Sequence, residues 1–265
     1  MLSRILEFFN HKSNNLFFTQ YFASVSANSI IGLDMSHYQG LNIDWQKMVS
    51  AGVKFIIHKT TEGTNYKDDR FDTNYKNAKK YGLKVGAYHF LRPGNVDAQY
   101  QWFTRNLVGR VFEILPAIDV EVSGISQSFV DTFGKKLENF IAQNPSIFPF
   151  YSQTYPHPMI YTNVSLGNSI FTSASMSRYP LWLATRQTTN PTIPKTWKTK
   201  GLSVWQDAVV GGKQYGISGN VDHNYWGTFL PFPEDTPPTP VTKDFTIAVE
   251  FDSSKYSNTV KLEKK

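Results

Sequence analysis

Apolar segments alternate with stretches of helical periodicity through most of the chain. IIGLDMS (30–36), VKFIIHKT (53–60), LKVGAYHF (83–90), EILPAIDVEV (113–122) and PMIYTNV (158–164) are short and apolar, and read as strands. Between them, IDWQKMVSAG (43–52), DRFDTNYKNAKKYG (69–82), VDAQYQWFTRNLVG (96–109) and SQSFVDTFGKKLENFIAQN (126–144) read as helices. Gly52 and Gly82 close the first two. A short helix is expected near 165–171. The pattern then changes. YPLWLAT (179–185), LSVWQD (202–207) and NVDHNYW (220–226) read as strands, but the Thr-, Pro- and Gly-rich segments joining them have no helical period.

Strands alternating with helices imply parallel pairing and an α/β layer or barrel. Eight strands favour closure into a barrel, with outer helices after only the first four or five. PSIFPFYSQTYPHP (145–158) is long, aromatic and broken by Pro. It reads as a loop over one rim, where a sugar-contacting lid is one reading. The sequence divides into a leader or extension (1–29), a barrel (30–232) and a Pro-rich linker with a short tail (233–265). The leader fits a poor signal peptide or a segment packing on the barrel. The tail fits a stub of a wall-binding module or an edge strand.

Composition narrows the function classes. The 265 residues carry a formal charge of +6, with 18% charged and 15% aromatic residues and no cysteine. Thiolate chemistry and disulfides are excluded. The cations are scattered rather than run together, so nucleic acid is not the expected partner. No apolar run approaches the ~18 residues of a membrane span. A basic surface favours polyanions, whether nucleic acid, anionic membranes or bacterial walls, and predicts salt-sensitive activity. The many aromatics suit either sugar stacking or an aromatic core.

The chemistry concentrates in LPAIDVEVSG (115–124). In a strand, Asp119 and Glu121 project to one face, with Cα atoms roughly 6.6 Å apart. Like charges so held resist joint ionisation, and a raised acid beside an ionised one suits glycosidic bond cleavage. A solvated strand end or a cation site is the plainer reading. Asp34 lies near the end of the first strand and Asp222 in the last. Catalytic groups of α/β barrels come from the C-terminal ends of several strands. His37, His89 and His223 lack metal-ligand spacing, and alternation turns His89 and His223 away from the lumen. No metal or cofactor is expected. GxSxG, P-loop and GxGxxG patterns are absent.

GLDMSHYQG (32–40) with IDW (43–45) resembles the opening of the glycoside hydrolase family 25 lysozymes, the Chalaropsis-type muramidases. FIIHKTTEG (55–63), KVGAYHFLRP (84–93), LPAIDVEV (115–122), PMIYTNV (158–164), YPLWLA (179–184), VWQ (204–206) and GNVDHN (219–224) follow in the family's order. The resemblance spans about Ile31 to Phe232. It implies an irregular (β/α)5(β)3 TIM-like barrel with eight mainly parallel strands. It implies cleavage of the β-1,4 bond between N-acetylmuramic acid and N-acetylglucosamine in peptidoglycan. Carried over by motif, Glu121 is the general acid/base, Asp119 its carboxylate partner, and Asp34 and Asp222 complete the acidic site. Tyr88, Tyr161, Trp182 and Trp205 line the groove, and Gln206 bonds substrate. Glu62 is either a rim residue or part of its turn.

Two departures stand out: the long loop 145–158, and Arg186 where the family often has an aromatic or small residue. Both bear on wall-type preference. The implied setting is a phage or prophage endolysin acting as a monomer outside the cell, secreted or released with holin help. The competing readings are a barrel that binds peptidoglycan without cutting it, a chitinase-like hydrolase and a virion-associated wall-degrading protein. A covalent and a substrate-assisted route both remain open.

Overall fold

The structure, a computed structural model, describes residues 29–186 and 190–233. The leader up to residue 28 and the tail from 234 lie outside the described residues. The elements run β1 (Ile31–Met35), α1 (Trp45–Ser50), β2 (Val53–Glu62), β3 (Tyr66–Lys67), α2 (Phe71–Lys80), β4 (Lys84–Phe90), α3 (Val96–Arg105), β5 (Ala117–Asp119), α4 (Gln127–Gln143), β6 (Met159–Asn163), α5 (Val164–Ile170), β7 (Leu181–Ala184), β8 (Val204–Gly211) and β9 (Asn220–Trp226). Side-chain caps from Asp44, Asn95, Ser126 and Asn163 start α1, α3, α4 and α5.

The sheet order is β1-β9-β8-β7-β6-β5-β4-β2, and β1 pairs with β2 to close the barrel. β3 is a two-residue annex, antiparallel to the end of β2. It is too short to leave a period in the sequence. β9 runs antiparallel to both β1 and β8, while the other barrel contacts are parallel. The barrel is thus mixed, mainly parallel as expected, with its last strand reversed. The reversal has a consequence. Asp222 sits near the N-terminal end of β9, not at a C-terminal strand end, and reversal brings it to the rim shared by the others.

The expected strand 113–122 shrinks to Ala117–Asp119. Upstream, Glu113 is buried and its carboxylate accepts from the Val85 N–H and pairs with Lys79. That side chain takes a ladder donor, and Pro116 contributes none. The strand ends before Glu121, so strand alternation does not by itself align Asp119 with Glu121.

One barrel end is closed by aromatic packing. Phe55 meets Trp226 edge-on at 5.4 Å and Phe232 at 6.1 Å. Gly32 on β1 makes room, because a Cβ there would lie 2.2 Å from the Phe55 ring. The loop 145–158 belongs to the N-terminal side of the strands, since it joins α4 to β6. It is a wall of the core rather than a lid. Phe148 and Tyr151 are buried, Phe148 stacks on Phe112, and the Tyr151 hydroxyl donates to the Pro231 carbonyl at 2.6 Å. Its Pro and aromatic residues serve packing on the face away from the acids.

Candidate active site

The acids are held by a network inside the barrel. Asp34 Oδ2 accepts from Gln206 Nε2 at 2.8 Å and Asn224 Nδ2 at 2.7 Å. Gln206 Oε1 accepts from the Tyr161 hydroxyl at 3.0 Å, and Asn224 Oδ1 from the Trp182 indole N–H at 2.8 Å. Each amide is therefore fixed by a donor on its oxygen and by Asp34 on its nitrogen. Strands β1, β6, β7, β8 and β9 are tied to one carboxylate. Trp182 is only 1% exposed and packs edge-on against Tyr161 at 4.7 Å and Tyr88 at 5.9 Å. It is a buried support for Asn224 beneath half-buried Tyr88 and Tyr161, rather than an open stacking surface.

Asp34 stands directly opposite Asp222 in the β1–β9 register, so their Cβ atoms are about 5 Å apart. Burial first, and Asp222 second, hold the Asp34 carboxyl well above the usual carboxylate range, despite its two amide donors. Asp119 is 4% exposed, and its Oδ1 has no hydrogen-bond partner. Burial and then the charge of Glu121 push its pKa well up. Glu121 is the exposed member of the four. Protein still crowds it, and lost hydration raises its pKa, with Lys59 opposing and Asp222 reinforcing. Burial raises half-buried Asp222 as well, against the pull of Arg186. Burial and the surrounding acids likewise hold Tyr88 and Tyr161 protonated.

The four predicted acids therefore influence one another across β1, β5 and β9. Tyr88, Tyr161, Trp182 and Gln206 join them. Trp205 does not. It precedes Gln206 on β8, and alternation sends it to the other face. There it is buried, donates to the Thr185 carbonyl at 2.9 Å and packs on Tyr225. His89 and His223 also lie on the outer side. His89 stacks on Phe133, and burial lowers its pKa to about 4. His223 pairs with Asp207 at 2.7 Å.

Two site residues escaped the sequence reading. Asn224 was detectable as the residue two after Asp222, hence on its face of the strand. Lys59 lay inside the quoted FIIHKTTEG without a role. It is buried, donates to Glu62 at 2.5 Å, and its charge reaches both Asp119 and Glu121. Glu62 also receives Arg92 at 2.8 and 2.6 Å, which settles it as the carboxylate of a paired cluster.

The model for glycosyl hydrolases family 25 matches residues 33–211, the stretch that supplies most of this network. The chain belongs to glycosyl hydrolase family 25. Its relatives agree. Lysozyme M1 of Streptomyces globisporus is 35% identical over 211 residues, covering 74% of this chain and 67% of that protein. The N,O-diacetylmuramidase of Chalaropsis is 30% identical over 214 residues, covering 74% and 97%. The crystal structure of a bacterial lysozyme from Streptomyces coelicolor superposes with a TM-score of 0.60 at 32% identity, covering 76% of this chain and 93% of that one. As a family 25 member the chain is a glycoside hydrolase. A set of carboxyl groups with raised pKa values, partly buried and partly open to solvent, is the equipment that such chemistry needs.

Proposed function

We propose that the chain is a muramidase that hydrolyses the β-1,4 bond between N-acetylmuramic acid and N-acetylglucosamine in bacterial peptidoglycan. The observation that carries the proposal is the pairing of a solvent-reaching acid, Glu121, with a buried carboxyl whose Oδ1 is unpartnered, Asp119. Glu121 keeps its proton to a higher pH than an ordinary glutamate, and solvent reach lets it pass that proton to a leaving oxygen. Asp119 offers its spare oxygen to the positive charge that develops at the sugar, or to the 2-acetamido group that supports it. Asp34 and Asp222 tune the pair, and Gln206 and Asn224 hold Asp34 in place. The substrate meets Tyr88, Tyr161 and Gln206. We further infer that it acts as a monomer on the cell wall from outside, in an endolysin-like or secreted role. Among the described residues no helix is long and apolar enough to cross a membrane.

The test is release of reducing ends from purified peptidoglycan, with native protein and Glu121→Gln compared. Native protein is expected to release muramic acid reducing ends. The variant is expected to lose about 10²–10⁴-fold in rate, the usual worth of a general acid, with unchanged circular dichroism. Wall binding by native protein without new reducing ends would replace this reading with a binding barrel.

A further inference from the structure

Beside the acids, a groove of about 270 Å³ opens between the end of β7 and the middle of β8. It is lined by Ala184, Thr185, Arg186, Gln206, Ala208 and Val209. At roughly 30 Å³ per water, that is room for about nine waters. The scale is that of a substituent on a sugar rather than of a run of sugar rings. The groove is continuous with the acid site in two places. Gln206 belongs to both, and Val209 stands directly opposite Asp222 in the β8–β9 register.

The charges around this groove are uneven. Lys59, Arg92 and Arg186 are the cations whose charge reaches Glu121 or Asp222. Glu62 holds both Lys59 and Arg92. Arg186 is exposed and has no hydrogen-bond or ion-pair partner among the described residues. An anionic substrate group approaching four acids meets repulsion unless a cation stands on its side of the cleft. A planar guanidinium with free donors is suited to a carboxylate. Ala184, Ala208 and Val209 beside it suit a methyl group.

We propose that this groove receives the carboxylate-bearing substituent on O3 of the substrate's N-acetylmuramic acid unit, with Arg186 as its ionic anchor. The proposal rests on the muramidase reading. The carboxylate has two chemical sources: the lactyl group itself when free, or the peptide stem attached to it.

Two substrate pairs separate the sources. The first is a tetrasaccharide of alternating N-acetylglucosamine and N-acetylmuramic acid with free lactyl acids, and its methyl ester. The second carries an L-Ala-D-Glu stem, with its carboxylates free or amidated. Steady-state kcat and KM are measured for native protein, Arg186→Gln and Arg186→Lys at fixed ionic strength. In one pair, masking the acid is expected to raise the native KM about tenfold, the worth of one charge-assisted bond, with kcat within about twofold. Arg186→Gln should show that loss on the unmasked substrate and stop discriminating within the pair, and Arg186→Lys should regain part of it. The responding pair identifies the source. Equal acid-to-masked ratios for native protein and Arg186→Gln in both pairs overturn the proposal. So does a loss confined to kcat with a displaced pH limb, which would make Arg186 only a tuner of Asp222. Failure of native protein to cleave any of the four substrates removes the muramidase reading, and this proposal with it.

Discussion

Glu62 and Asp119 are carboxyl groups within electrostatic reach of each other and of Lys59, yet they are kept in opposite conditions. Burial pushes both upward. At Glu62 the hydrogen bonds and charges of Lys59 and Arg92 outweigh it and hold the pKa below the usual glutamate value. At Asp119 no bonded cation intervenes, and the pKa stays well up. Glu138, paired with Arg178 and His157, follows the Glu62 pattern, and Glu113 is likewise paired, with Lys79. The protein supplies cations to acids that only hold the fold together. It withholds them from Asp34, Asp119 and Glu121, leaving groups that keep their protons to higher pH than ordinary carboxyls do. Residue type is the same in both places. The neighbouring cation separates structure from chemistry.

Substituting both acids breaks the comparison most sharply. Asp119→Asn is expected to lower kcat on peptidoglycan at least about 100-fold, because an amide has no proton to release and so never supplies the negative charge that supports a developing cation. Glu62→Gln is expected to keep kcat per folded molecule within a few-fold. Similar losses in the two variants would show that the paired cluster takes part in the chemistry. The next effect is on stability and reverses the order. Glu62→Gln leaves buried Lys59 without its carboxylate. Discounted for the partial exposure of Glu62, the expected cost is about 2 kcal/mol in urea unfolding. No change would mean that Lys59 reaches water or one of the site acids instead.

Much of this division was legible in the sequence. Asp34, Asp119, Glu121 and Asp222 stand out because acids interrupt runs that otherwise belong in a core. The strands and helices up to β6 follow from their periods. What a period cannot carry is direction. NVDHNYW reads identically as a parallel or an antiparallel strand, so the reversal of β9 appears only once pairing is known. The family resemblance implies both Trp205 and Gln206 in the groove, but two successive strand residues cannot both face the lumen. The length and aromatic content of 145–158 suggest a loop over the rim, with a lid as one reading. Its position after a helix and before a strand already places it at the other end of a parallel barrel. Lys59 was hidden because lysine in a strand usually marks an exposed edge. Its burial depends on Glu62 three residues later and Arg92 on another segment.

The smallest effect tests whether the acid site is held against the preference of the fold. Asp119 keeps its proton in the folded protein at pH values where the unfolded chain has released it. The folded state then binds more protons, and stability falls as pH rises from the unfolded aspartate value, about 3.9, toward the raised folded value. Below about pH 3 both states are protonated, and this cost is absent. Asparagine has no such proton to lose and nearly the same shape. Asp119→Asn should therefore melt with native protein near pH 3 and above it at pH 7, by roughly 2–4 °C, the shift that about 1 kcal/mol makes in a domain of this size. Asp34 carries the same sign and should leave part of the slope in the variant. A gain independent of pH would point to packing rather than protonation. A loss at pH 7 would mean that ionised Asp119 has a stabilising partner, and would remove the contrast with Glu62. Together with the fall in kcat, a pH-dependent gain would make Asp119 a residue that costs the fold stability and is kept for its chemistry.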